Sequence, residues 1–219
     1  MRGYNIFMDR NKFQLAADFA IRSLDRFLLP ELFYHNLEHT RDEVVLWTSR
    51  LADLEGVEGN DRLVLLTAAY YHDIGWIQIK ESTEQEYSKR LQHENYSAEY
   101  ARQVLPHYGY SRAEIDQVCE LILVTRLSEK PKNLAEKIIR DADLSSLGQG
   151  LEVFWKRGND LLREMRAFGI VVDDVNWLLV EEDLLRKMVY FTGAARGLFD
   201  IQKQAALESV RAQLALLKQ

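Results

Sequence analysis

Two histidines lie four residues apart in the stretch Tyr34–Asp42, which reads YHNLEHTRD. On a helix, side chains at that spacing share one face and lie about 6 Å apart, so His35 and His39 can address one ligand. A second pair, His72–Asp73, ends an apolar run, and a third segment, Asp141–Asp143, follows another. Imidazoles and carboxylates drawn from three separate segments are typical of a divalent-metal site that the fold assembles.

Each pair taken alone also has a purely structural interpretation. His72 could be a buried histidine bonded to the backbone, and Asp73 could help to terminate a helix. The ordered set of three segments favours the metal site over these separate explanations.

The elements that must position these residues are predicted to be helices. Apolar residues recur at three- and four-residue spacing, and only three prolines and eleven glycines interrupt them. Ser111-Arg-Ala-Glu114 is a capping box, and 76–91 is predicted to be a long loop. The sequence therefore predicts an all-α fold, a single-domain bundle (1–219) of about eight to nine helices, with the core motifs in 34–148 and C-terminal helices in 151–219. The predicted helices cover 9–29, 37–54, 61–74, 95–105, 112–124, 134–143, 151–168, 175–191 and 194–217.

Composition narrows the class of protein. A net charge of −6 over 219 residues argues against binding to a nucleic-acid polymer or an anionic membrane. The single cysteine, Cys119, excludes an intramolecular disulfide and a cysteine-rich zinc site. The longest apolar run, around Leu63–Tyr71, is too short to span a bilayer, and we expect a cytoplasmic protein.

These motifs resemble those of a known superfamily. The order His39, His72–Asp73, Asp143 is similar to the ligand set of the HD superfamily of metal-dependent phosphohydrolases. YHNLEHTRD resembles the YHNxxHAxD signature of class I cyclic nucleotide phosphodiesterases. His93-Glu-Asn-Tyr-Ser-Ala98 and Asp141–Gly148 resemble the HExxSA and DxDLxxLG segments of small predicted bacterial HD phosphohydrolases.

The resemblance implies a role for each matching residue. His39, His72, Asp73 and Asp143 would hold one divalent ion, and Asp73 would bridge to a second; Mn, Mg, Fe, Co, Ni and Zn are not distinguished. Water activated by the metal would attack phosphorus. His35 matches the histidine that resembles a general acid, although a second-shell or capping role stays open.

Further polar residues are expected near this set. Asp42 and Glu38 could each orient an imidazole or could lie solvated on the surface. Asp141 is expected to support the ligands, although it could exchange roles with Asp143. His93 and Glu94 could join a second metal or meet a substrate phosphate, and His93 could also be only a helix-start residue. Two cations, Lys80 and Arg126, could contact phosphate. Arg126 lies where relatives often carry a histidine, and Trp76 stands where many carry a lysine.

The sequence thus favours a phosphohydrolase that acts on a small phosphorylated substrate, with a nucleotide expected. The alternatives are a di-iron oxygenase of the same scaffold, which the residues after Thr125 disfavour, and a metal-binding regulatory module without turnover. The apolar stripe of the last helix fits either a homodimer surface or core packing.

Overall fold

A computed structural model of the chain describes residues 2–217, with side chains described for 11–89 and 92–217. Every regular element in that part of the chain is helical, which confirms the all-α prediction. The ten α-helices are α1 (Arg2–Phe27), α2 (Leu46–Leu54), α3 (Gly59–Tyr71), α4 (Glu84–Tyr87), α5 (His93–Val104), α6 (Arg112–Leu123), α7 (Leu134–Asp143), α8 (Leu151–Ala167), α9 (Asp174–Lys187) and α10 (Gly193–Leu217). A π-helical turn, His39–Val45, leads directly into α2, and 3₁₀ turns cover Ile74–Gln78, Ser88–Gln92, Leu105–Tyr108 and Ser145–Gly148.

Several helix starts follow from local side-chain chemistry. Ser111 and Glu114 form the predicted capping box at the start of α6. Asn133 caps α7 by accepting from the backbone N–H of Glu136, and Asp173 caps α9 in the same way. Each cap satisfies an N–H group that has no partner inside its own helix.

The predicted loop over 76–91 is wrong in detail. It contains α4 and parts of two 3₁₀ turns, and Trp76, Ile79 and Tyr87 are buried against Leu32 and Phe168 in a small separate apolar cluster. The polar composition of the segment hides these three side chains, so periodicity does not predict the packing.

The predicted helix over 175–191 is also too long. The helix ends at Lys187, because the backbone of Met188 is extended (φ −70°, ψ 132°). From Met188 the chain runs to the start of α10. Asp141 holds this connection by accepting hydrogen bonds from the backbone N–H groups of Phe191 and Thr192.

Helix α3 lies in the middle of the main core, as its nearly continuous apolar sequence predicts. Val64, Leu65, Ala68 and Ala69 are buried, and α3 packs against α1 and α6. Burying this helix on most sides fixes where its C-terminal end, and therefore the pair after it, can lie. Within residues 2–217 no helix combines the length and apolarity needed to cross a membrane.

Candidate metal centre

Four side chains from three segments converge on one buried point. His39 Nε2 lies 3.5 Å from Asp143 Oδ1 and 3.7 Å from Asp73 Oδ2. His72 Nε2 lies 3.6 Å from Asp143 Oδ1 and 3.3 Å from Asp73 Oδ2. The ligand atoms of His39, His72 and Asp143 all fall within 4.8 Å of one another, which is close enough for one ion to touch them all.

The free atoms of this cluster suit a divalent cation. His72 Nε2 and Asp73 Oδ2 are buried and have no hydrogen-bond partner, although burying such atoms unpaired is costly. His72 Nδ1 is 2.9 Å from the carbonyl of Ala69, and His39 Nδ1 is 3.0 Å from Glu43 Oε2. Each Nδ1–H therefore donates to oxygen, so in the neutral imidazole the Nε2 lone pair faces the cluster, as metal-bound histidines require.

The charges of the cluster compensate one another without an ion. Burial by itself would lower the pKa of His39, but hydrogen bonds to Asp143 and Glu43 and the charge of Asp73 outweigh it and raise that pKa to about 9. Burial opposes ionisation of Asp73 as well, yet His72 and His93 hold its pKa well below the usual range. A cation would replace protons on the imidazoles at this point.

Local structure explains why the ligands point inwards. His39 begins the π-helical turn, where its N–H donates to the side chain of Asn36. His72 and Asp73 follow the end of buried α3, and Asp143 is the last residue of α7. Ligands at helix ends can converge because the backbone there leaves regular geometry.

Gly75 allows the His72–Asp73 turn to lie directly on α5. A Cβ atom at this position would come within 2.2 Å of the His93 carbonyl oxygen and 2.8 Å of the Ser97 backbone nitrogen. The Gly75 N–H donates to the Ser97 hydroxyl at 2.8 Å. Close approach here brings His93 Nε2 to 3.3 Å from Asp73 Oδ1, on the side of that carboxylate away from His72.

His93 and Glu94 thus border the cluster. His93 Nδ1 is 3.6 Å from Glu94 Oε2, and the same oxygen is 3.6 Å from the Arg126 guanidinium. Arg126 also donates to Asn95 Oδ1 at 3.0 Å. The two oxygens of Asp73 face different imidazoles, which is the arrangement that a bridging carboxylate needs.

His35 lies before the helix rather than on it, so the one-helix geometry expected for His35 and His39 is wrong. The two ring centres are nevertheless 6.5 Å apart. The Trp76 indole stacks on His35 at 4.1 Å, and His35 Nδ1 is 2.6 Å from Glu164 Oε1. Glu164 is fully buried, and its other oxygen accepts the backbone N–H groups of Tyr34 and His35.

Three residues with predicted supporting roles lie away from the cluster. Asp42 forms an exposed ion pair with Arg41 at 2.6 Å, so Glu43, one residue later, takes the place expected for it at His39. Asp141 faces the start of α10 instead of the ligands, and it accepts from Phe191 N, Thr192 N and the Thr192 hydroxyl. Lys80 is exposed and its ammonium group donates to the Ile77 carbonyl.

The sequence pattern does not single out three polar residues of the described site: Glu43, Arg157 and Glu164. Arg157 and Glu164 are seven residues apart on α8, and this spacing puts them on one face. Buried Phe154 lies on the same face, and buried Phe168, the residue that caps the end of α8, follows at a matching interval. Charged residues within an apolar stripe are the signal that could have identified them.

Comparisons with known proteins identify a family and a shared fold. The profile of a family described as HD domain matches residues 36–147. An uncharacterized protein of Clostridium beijerinckii is 32% identical over 113 residues, covering 52% of this chain and 66% of that protein, so the match spans just under two thirds of the relative's length. The crystal structure of a predicted HD superfamily hydrolase from an uncultured Thermotogales bacterium shares the fold, with a TM-score of 0.56 at 21% identity over 93% of this chain and 92% of that one.

Proposed function

Because the chain belongs to the HD domain family, we propose that it is a metal-dependent phosphohydrolase acting on a small phosphorylated substrate, with a nucleotide as the first class to test. The observation that carries the proposal is the buried meeting of two imidazoles with two carboxylates, where His72 Nε2 and Asp73 Oδ2 lack hydrogen-bond partners. These two buried atoms lie 3.3 Å apart without a hydrogen bond to each other or to another described group, so both are available to coordinate one ion.

In this proposal His39, His72, Asp73 and Asp143 would hold one divalent ion. His93 Nε2 lies 3.3 Å from the other oxygen of Asp73, Oδ1, where a second ion could bind. A bound divalent ion lowers the pKa of coordinated water and neutralises developing charge on phosphate oxygens. The protein contributes a fixed set of ligands and a largely buried surrounding, in which such charge interactions are strong.

His35 is proposed to donate the proton that the leaving oxygen needs when its bond to phosphorus breaks. Glu164 engages Nδ1 at 2.6 Å and thereby leaves Nε2 to exchange a proton with the substrate. The ring cannot turn freely, because Trp76 stacks against its face.

The substrate would approach from the partly open side of the cluster. The side chains of His35, Asp143 and His93 retain between 16% and 19% exposure, whereas His39 and His72 are almost fully covered. Arg126, whose side chain is 30% exposed, lies at the His93 edge and is the cation placed to meet a phosphate group.

The proposal is tested by measuring turnover of a substrate panel with Mn²⁺, Mg²⁺, Co²⁺ and Fe²⁺. The panel contains phosphomonoesters, cyclic and linear phosphodiesters and nucleoside polyphosphates. We expect turnover of at least one substrate by the wild type, and loss of both bound metal and turnover in Asp73→Asn. Asp42→Asn is the matched control, since Asp42 is an exposed acid close to His39 in sequence, and it should retain both. Equal turnover by wild type and Asp73→Asn would remove the cluster from the mechanism.

A further inference from the structure

A buried arginine on α8 reaches the metal centre through a second residue. Arg157 is 2% exposed and lies outside the matched stretch 36–147. Its guanidinium stacks over the Tyr34 ring at 4.5 Å and donates from Nη2 to the Tyr34 carbonyl at 2.9 Å. Its Nε lies 3.2 Å from Glu43 Oε2, an ion pair that lacks hydrogen-bond geometry, and Nη1 lies 3.4 Å from Asp160 Oδ2.

One carboxylate oxygen links this arginine to a candidate ligand. Glu43 Oε2 contacts both Arg157 Nε, at 3.2 Å, and His39 Nδ1, at 3.0 Å. The order Arg157, Glu43, His39 therefore forms a continuous path from α8 to the cluster.

The charges along this path connect Arg157 to His39. Burying a guanidinium is costly unless carboxylates and carbonyls surround it, as they do here. The guanidinium holds the Glu43 carboxylate in place, and Glu43 Oε2 accepts the Nδ1–H of His39. That hydrogen bond fixes the tautomer with the Nε2 lone pair towards the cluster and makes the imidazole a stronger donor to a cation.

We propose that Arg157 is a positioning residue for the metal centre, and that it sets the affinity for the divalent ion by acting through Glu43 on His39. The inference rests on the metal-binding part of the proposed function and not on hydrolysis. It also makes α8, beyond the stretch that the family profile matches, a component of the metal centre.

The test is titration of the metal-free, full-length protein with Co²⁺ by calorimetry, together with the visible absorption spectrum of the bound Co²⁺. Arg157→Met should weaken binding about tenfold or more and alter the ligand-field bands, as loss of an outer partner of a metal ligand does. Arg157→Lys keeps a cation near Glu43 and should lose less. Arg163→Met is the control, because Arg163 is an exposed arginine of the same helix that lies over the Phe33 ring, and it should bind Co²⁺ like the wild type.

A double-mutant cycle separates this role from a general loss of stability. Since both residues act on His39 by one path, Arg157→Met should add no further loss of affinity in a Glu43→Gln background. Circular dichroism of each metal-free variant verifies folding. If Arg157→Met does not fold, the same cycle with Arg157→Lys tests the proposal.

Two results would overturn the proposal: a folded Arg157 variant with wild-type affinity and spectrum, or losses that multiply in the double variant. Either result leaves the phosphohydrolase proposal standing. Conversely, a wild type that binds Co²⁺ but hydrolyses nothing would refute the phosphohydrolase proposal and leave this one intact.

Discussion

Ion binding at the cluster should depend steeply on pH, because His39 must lose a proton to become a ligand. In the metal-free protein its pKa is raised to about 9 by Asp143, Glu43 and Asp73, against the effect of burial. The pKa of His72 is raised as well, since Asp73 outweighs burial there too. At neutral pH a cation therefore competes with protons.

The magnitude follows from the His39 pKa. Between pH 7 and pH 8, both below about 9, each unit changes the free energy of deprotonation by about 1.4 kcal/mol, so apparent affinity should be about tenfold lower at pH 7. His72 acts in the same direction and makes tenfold a lower bound. At least one proton should leave for each ion bound at pH 7.

In the metal-free protein, the stability of the fold changes with pH in the opposite direction to the ion affinity. A histidine whose folded pKa exceeds its unfolded value stabilises the fold below pH 6.5 and loses that contribution as pH rises through about 9. The metal-free protein should therefore become less stable from pH 7 to pH 9.5, while stabilisation by a bound ion grows.

Calorimetric titration with Mn²⁺ at pH 7 and 8, in two buffers of different ionisation enthalpy, measures both affinity and proton release. His107→Asn is the control, because His107 lies on the surface in the Leu105–Tyr108 turn and should leave the pH dependence unchanged. Equal affinity at both pH values without proton release would refute this reasoning.

Three further variants test other parts of the structure. Glu164→Gln weakens charge-assisted hydrogen bonds to Tyr34 and His35, so urea denaturation should show a loss of about 2 kcal/mol or more, with reduced turnover and unchanged metal affinity. Burial raises the pKa of Glu181 to about 7, so the fold loses stability as pH rises from about 4.5 to 7. In guanidinium denaturation, Glu181→Gln should reduce the stability difference between pH 5 and pH 8 by about 2.5 kcal/mol. Asp141→Asn should lower the melting temperature, at a cost of about 2 kcal/mol, without weakening metal binding, since Asp141 supports the start of α10. An unchanged melting temperature in Asp141→Asn, or wild-type turnover in Glu164→Gln, would contradict these assignments.

The sequence predicts the parts of this protein that local patterns encode. His72–Asp73 and Asp143 stand at the ends of apolar helical stretches, so their places at helix ends follow from periodicity and from the residues that stop helices. The capping box at Ser111 is equally local. These features need no knowledge of distant contacts.

The positions of the supporting residues depend on tertiary contacts, which local sequence patterns do not predict. Glu164 meets His35 across 129 positions of sequence. Glu43 and Asp42 are adjacent acids, and it is Glu43 that lies against the imidazole, where Arg157 of α8 also contacts it. Asp141 turns to the opposite side of α7 because the chain after α9 needs an acceptor there. Each outcome is settled by packing between helices that are distant in sequence.

The most direct test of the central claim is a crystal structure of the Mn²⁺-loaded protein with anomalous diffraction data. We predict an anomalous peak at coordination distance from all four of these atoms: His39 Nε2, His72 Nε2, Asp73 Oδ2 and Asp143 Oδ1. A fully loaded crystal in which the peak lies elsewhere, with these four side chains bonded only to one another, would contradict the account.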